Sequence, residues 1–218
     1  MTVESSSNVW KSSIPGRACA VLGFLLALFT AACGGVPKTY FYTLQAPAAP
    51  AASDPRTTYV LGVEHFRAPE MLRDDRMVYY VSPTQMNFYQ YNRWGSAPAT
   101  MLSEYTAQWV ESTGVFAQVK TLPVRDRVDY ILGGRVDNFE EVDEAAGVKV
   151  RVAVELSLVR ASDHKLVWSD QRRQEAPVTE HGAGGVASAL NAVSAQVVRD
   201  LVPGLVAQVE QDFKGNNK

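Results

Sequence analysis

The sequence predicts an α+β domain, a two-layer sandwich in which a mostly antiparallel sheet carries two amphipathic helices on one face. Three observations predict it. From Gly147 to Arg160, Val148, Val150, Val152, Val154, Leu156 and Leu158 alternate with Lys149, Arg151, Glu155 and Ser157, which gives a strand one dry and one wet face. The segments 128–141, 147–160 and 165–175 follow one another through short turns, as a meander does. The segments 94–114 and 185–213 repeat their apolar residues at helical spacing.

The first 32 residues read as a targeting signal. A polar stretch with Lys11 and Arg17 precedes an apolar run from Ala18 to Phe29, and the small residues Thr30, Ala31 and Ala32 lead to Cys33. The run is short of the roughly 20 residues a membrane-spanning helix needs. Thr30-Ala31-Ala32-Cys33 resembles the bacterial lipobox, in which the cysteine takes a diacylglycerol thioether and a peptidase cuts before it; Thr30 stands where leucine is usual. The resemblance implies cleavage between Ala32 and Cys33, lipidation of Cys33 and, with Gly34 rather than aspartate next, export to the outer membrane. Residues 33–38 are then a lipidated tether and 39–218 the periplasmic domain. Cleavage would remove Cys19 and acylation would occupy Cys33, leaving no free thiol, in keeping with an oxidising compartment. The mature chain loses Lys11, Arg17 and Glu4, leaving 19 basic against 22 acidic residues, a net charge of −3. That balance excludes a large basic field for nucleic acid.

The remaining elements follow in order. Thr39–Leu44, aromatic and β-branched, predicts a strand. Residues 45–57, rich in proline and alanine, are either a surface loop or an extended linker. Thr57–Phe66 predicts a strand. Arg76–Ser82 and Gln85–Tyr91 predict an aromatic hairpin split by Ser82-Pro83-Thr84. A helix follows, with Ser96 as its cap, Pro98 in its first turn, Met101, Leu102, Tyr105 and Trp109 on one face, and Gly114 at its end. Val115–Lys120 is a short strand before the meander. The last helix carries Val186, Leu190, Val193, Val197 and Leu201 in one stripe, and Pro203-Gly204 should kink or break it before 205–213 resumes the pattern.

Little in the chain suggests catalysis. His65, His164 and His181 have no metal-ligand spacing. Ser162–Lys165 spells S-x-x-K, but among turn formers it reads as a turn. The glycines after His181 precede a helix without the lysine of a phosphate-binding loop. Glu140, Glu141, Asp143 and Glu144 read as a solvated hairpin tip, and Leu72–Arg76 as a charged turn. No metal and no cofactor is expected. The aromatic set is denser. Tyr79, Tyr80, Phe88, Tyr89, Tyr91 and Trp94 include core residues, while those on the opposite strand face form a candidate partner surface, for which Tyr79, Phe88, Tyr89, Tyr91 and Trp94 are selected.

These pieces together resemble a known family. A lipobox is followed closely by an aromatic strand ending Thr43-Leu44. A segment with Val63, Phe66, Pro69, Leu72, Asp75 and Val78 at intervals of three comes next, then Arg93-Trp94 before a small-residue helix, then a hairpin ending in Trp168. The pattern resembles the ABC-type transport auxiliary lipoprotein family, which includes the lipoprotein partners of paraquat-inducible and Mce-type lipid transport systems. The resemblance implies a non-enzymatic domain held at the outer membrane that docks on an Mce-type protein, whose inner-membrane partner is an ABC permease with its ATPase, and in some relatives a homo-oligomeric ring. The alternative class is an envelope binding module or regulator of another periplasmic assembly, such as a peptidoglycan synthase; the partner recovered with the protein discriminates the two.

Overall fold

The computed structural model describes residues 37–45 and 55–216, and the fold below is that of the unit Thr39–Lys218. The described elements are, in order, β1 (Tyr40–Tyr42), β2 (Val60–Val63), a 3-10 turn (Glu70–Leu72), β3 (Arg76–Ser82), β4 (Gln85–Trp94), α1 (Pro98–Ser112), β5 (Gln118–Thr121), β6 (Tyr130–Glu144), β7 (Gly147–Arg160), β8 (Lys165–Pro177) and α2 (Gly182–Asn216). This is the predicted α+β class, a large, mostly antiparallel sheet with two helices.

Strand β6 organises the sheet. One edge pairs antiparallel with β7, from Tyr130↔Arg160 to Glu144↔Gly147. The other edge is shared: its first residues pair parallel with β2, and Glu141 and Val142 pair parallel with Tyr79 and Tyr80 of β3. Strand β8 extends the sheet beyond β7, β4 and β1 extend it beyond β3, and β5 lies outside β2. The alternation in β7 produces its effect directly. Val150, Val152, Val154, Leu156 and Leu158 are each fully buried, and the stripe on α2 is buried too, continuing through Leu205 and Val209. Each such side chain removed from water contributes roughly 1.5–3 kcal/mol.

Two helix expectations are corrected. The helix α2 is not broken at Pro203-Gly204 but continues to Asn216. Both residues are exposed, so the ring and the missing amide lie on the outer side, where water can satisfy the orphaned carbonyl. On the inner side Leu201, Val202, Leu205 and Val209 are buried, and their packing outweighs one lost hydrogen bond. Ser96 is not the cap of α1. Ala97 occupies that position without a side-chain bond, and its carbonyl accepts from the Met101 amide at 3.0 Å. Pro98 does sit in the first turn.

The interval-of-three segment now has a physical account. Val63, Phe66, Leu72 and Val78 are buried, Pro69 opens the 3-10 turn, and Asp75 serves β4. Phe66 lies so close over β6 that a Cβ on Gly134 would come within 2.5 Å of its ring, which explains why that strand carries a glycine. At the other end of the domain, the Tyr130 hydroxyl donates to Asp212 (2.8 Å) and Arg160 pairs with the same carboxylate (2.9 Å), holding the end of α2 to the sheet.

Candidate functional site

The feature with the chemistry of a binding surface is the corner built by β1, β3 and β4. Strands β3 and β4 pair as the predicted hairpin, but not regularly. Val78 faces Phe88 while Arg76 faces Arg93, so Tyr89, Gln90, Tyr91 and Asn92 stand opposite Met77 alone. Such a bulge re-aims side chains. It brings Arg76, Tyr79, Phe88, Tyr89, Arg93 and Glu141 around an open groove of about 710 Å³.

The groove is stiffened from within. The rings of Tyr79 and Tyr89 meet edge to face at 5.2 Å. The guanidinium of Arg76 lies 3.8 Å over the Phe88 ring and also bonds Asp74, whose carboxyl is thereby held below its ordinary range. Arg93 pairs with Asp75 at 2.7 Å, and the Asp75 carbonyl accepts from the Trp94 amide at 2.7 Å. The charged turn before β3 therefore spends its acids on fixing the two arginines of the groove.

The aromatic candidates divide. Tyr79, Phe88, Tyr89 and Tyr91 are half-buried. Trp94 is not available to a partner. It is only 1% exposed and packs edge to face against Phe139 at 5.1 Å and Tyr42 at 6.5 Å. It ends a strand whose last residues pair with β1, and its bulk belongs to the core.

The acidic tip is also corrected. Glu140 and Glu141 are buried, not solvated. Glu140 accepts from the Asn138 side chain (2.8 Å) and the Phe139 amide (2.7 Å), with Arg151 3.6 Å away, and burial pushes its carboxyl above the ordinary value. Glu141 accepts from the Tyr89 hydroxyl at 2.6 Å, and burial raises it as well. Burial and then this bond raise the Tyr89 phenol far above its usual range, so it remains a donor at neutral pH. Sequence reasoning missed this pair. The available signal was Arg151, which alternation in β7 places directly across from Glu140.

The other motifs find structural uses. Ser162, Asp163 and His164 lie in the β7–β8 turn, with His164 at φ 55°, and Lys165 opens β8. Gly185 faces the Glu180 carbonyl where the chain doubles into α2, leaving no room for a side chain. All three histidines are exposed and lie in separate elements. Among the described residues no group of three or more His, Cys, Asp or Glu is placed to hold a metal ion, and no helix is long and apolar enough to cross a membrane. Ala32, Cys33 and the segment before them lie outside the described residues, as does most of the Pro/Ala-rich segment. The groove thus offers stacking faces and fixed charge pairs, the equipment for binding.

The sequence model for the ABC-type transport auxiliary lipoprotein component matches residues 42–202. The chain belongs to that family. The match runs from the last residue of β1 into α2 and so includes all of β3 and β4. Members of the family are lipoprotein components of transport systems, which assigns this chain to the envelope and to transport. No curated protein matches the chain. Among solved structures, protein XCC0632 of Xanthomonas campestris is 22% identical with a TM-score of 0.70, over 80% of this chain and 99% of its own. An uncharacterised protein is 18% identical with a TM-score of 0.62, over 78% and 99%. Both show the same fold. A PelC dodecamer from Paraburkholderia phytofirmans is 15% identical over 77% of this chain and 98% of its own, with a TM-score of 0.45, too loose a likeness to argue from.

Proposed function

We propose that this protein is an outer-membrane-anchored, periplasm-facing lipoprotein that serves as the non-catalytic auxiliary component of an ABC/Mce-type system moving lipid between membranes. The observation that carries the reading is the family match, which begins at residue 42, nine residues after the one cysteine set in a lipobox-like context. In this reading residues 1–32 are removed, Cys33 carries the acyl chains and 33–38 is the tether. Gly34 in the second position supports passage to the outer membrane. Two or three acyl chains make a stable anchor where one would be marginal.

The aromatic groove is the docking face for the Mce-type protein, whose inner-membrane partners, the permease and its ATPase, supply the driving force. Tyr79, Phe88 and Tyr89 provide contact area at low entropic cost because their neighbours already hold them, and half-buried Tyr91 follows on the same strand. Trp94 supports the face from beneath. The chain itself needs no cofactor for this role.

The test is a photocrosslinking amino acid in place of the exposed Gln90, activated in intact cells, with the captured species identified by mass. Capture of an Mce-type protein is expected, and crosslinks between copies of this chain would report a homo-oligomer in the same experiment. Capture of a peptidoglycan synthase with no Mce-type protein would contradict the reading and favour an envelope regulator.

A further inference from the structure

Six large apolar side chains are exposed among the described residues, and two of them, Tyr40 (51%) and Phe41 (64%), are adjacent on β1. The exposure of Phe41 is enforced by the fold. Tyr42, on the opposite face of the strand, packs on Trp94 and donates to Asn92 at 3.2 Å, and its carbonyl accepts from the Gly95 amide at 2.7 Å. The Gln45 amide donates to Asn191 of α2 at 2.8 Å. With Tyr42 held inward, the alternation of the strand turns Phe41 outward.

The neighbours of Phe41 indicate the kind of surface it suits. It stands beside Arg93 on β4, and Arg93 faces Arg76 on β3. Both arginines have carboxylate partners, Asp75 and Asp74, so this row across three strands is close to neutral. An exposed aromatic edge with its charges already paired suits the boundary between lipid headgroups and acyl chains. Chain length supplies the second argument, which rests on the acyl anchor at Cys33 proposed above. Eight links separate Cys33 from Phe41. A flexible chain of that length has a mean span of roughly 15 Å and cannot exceed about 28 Å. A domain the size of residues 39–218 has a radius of gyration of about 16 Å. The tether is therefore no longer than the body it holds, and it joins that body at β1.

We propose that Phe41 inserts into the headgroup–acyl boundary of the leaflet that holds the Cys33 lipid, so that the β1 corner is a membrane-contact surface covered by lipid. The anchor then sets the orientation of the domain as well as its location, and the groove lies beside the bilayer. Because the arginines are paired, the contact is apolar and does not require anionic lipid.

The full, processed lipoprotein is tested as Phe41→Cys, labelled with an environment-sensitive fluorophore and reconstituted in phosphatidylcholine vesicles that contain a lipid with a quencher on its acyl chain. Leu166→Cys, at another exposed apolar position, is the control. The label at 41 is expected to lose more than about half its emission, while the label at 166 is unaffected. Equal quenching at the two positions on vesicle-bound protein overturns the proposal and leaves the anchor intact. A blue-shifted but unquenched label at 41 also overturns it, since a second copy would then cover the residue. Protein that does not sediment with vesicles and lacks acyl mass contradicts the anchor itself, and this inference with it.

Discussion

The meander of β6 to β8 and the corner of β1, β3 and β4 belong to one sheet, yet they are built on different terms. The meander is long, regular apart from two register shifts, and dry on the face that α2 covers. The corner is short-stranded, has one residue facing four at its bulge, and fills its outer face with half-buried tyrosines, paired arginines and a buried glutamate. The contrast separates what holds the molecule up from what it presents. Regular alternation concentrates stability where nothing outside needs to bind. Irregularity, supported by internal ion pairs, is confined to the surface that the proposed function uses.

That contrast can be broken from either side. The largest loss is expected in the meander. Leu156→Ala, at a fully buried position, should cost about 2–5 kcal/mol of unfolding free energy in urea titration. Gly134→Ala drives a methyl group into the Phe66 ring and should cost about 1–3 kcal/mol by overpacking. Tyr89→Phe deletes the hydroxyl that serves Glu141; about 1 kcal/mol is expected, with a clear loss of partner capture. The smallest change is Gln90→Ala, within about 0.5 kcal/mol of the parent in stability. If Leu156→Ala proved milder than Tyr89→Phe, the division between scaffold and surface would fail.

A pH series sharpens the same comparison. The carboxyls of Glu140 and Glu141 are raised by burial above their ordinary value of 4.5. The folded state therefore holds their protons more tightly than the unfolded chain does. Their contribution is present below 4.5 and fades as pH rises through the raised values. Unfolding midpoints should fall across that window, and Glu141→Gln, which can still accept from Tyr89, should flatten the slope. The carboxyl of Asp74, and that of Glu175 on β8, which Lys149 and Arg151 hold below its ordinary range at 2.7 Å each, act with the opposite sign and only below their ordinary values.

Much of the scaffold was legible because its signals are local. The bounds of β7 follow from alternation, those of β3 from its aromatic residues and the turn formers that split the hairpin, and the α2 stripe follows from helical spacing. The failures share a cause, since each depends on contacts distant in sequence. Alternation does not encode strand direction, so the parallel pairings of β6 with β2 and β3 were not readable. Pro203 was read as a kink or break because its cost is local, whereas the packing that carries the helix through it comes from the sheet. Glu140 and Glu141 looked solvated because their partners, Arg151 and Tyr89, lie in other strands. Trp94 was placed on the surface with its aromatic neighbours because only the β1 pairing shows which way it turns.

The most direct measurement is the intact mass of the mature protein from cells that process lipoproteins, compared with Cys33→Ser. The account predicts a parent chain that begins at Cys33 with acyl chains attached and remains in the outer-membrane fraction, and a variant that is uncut and unacylated. A parent chain with a free Cys33 thiol, or with residues 1–32 still attached, would contradict it.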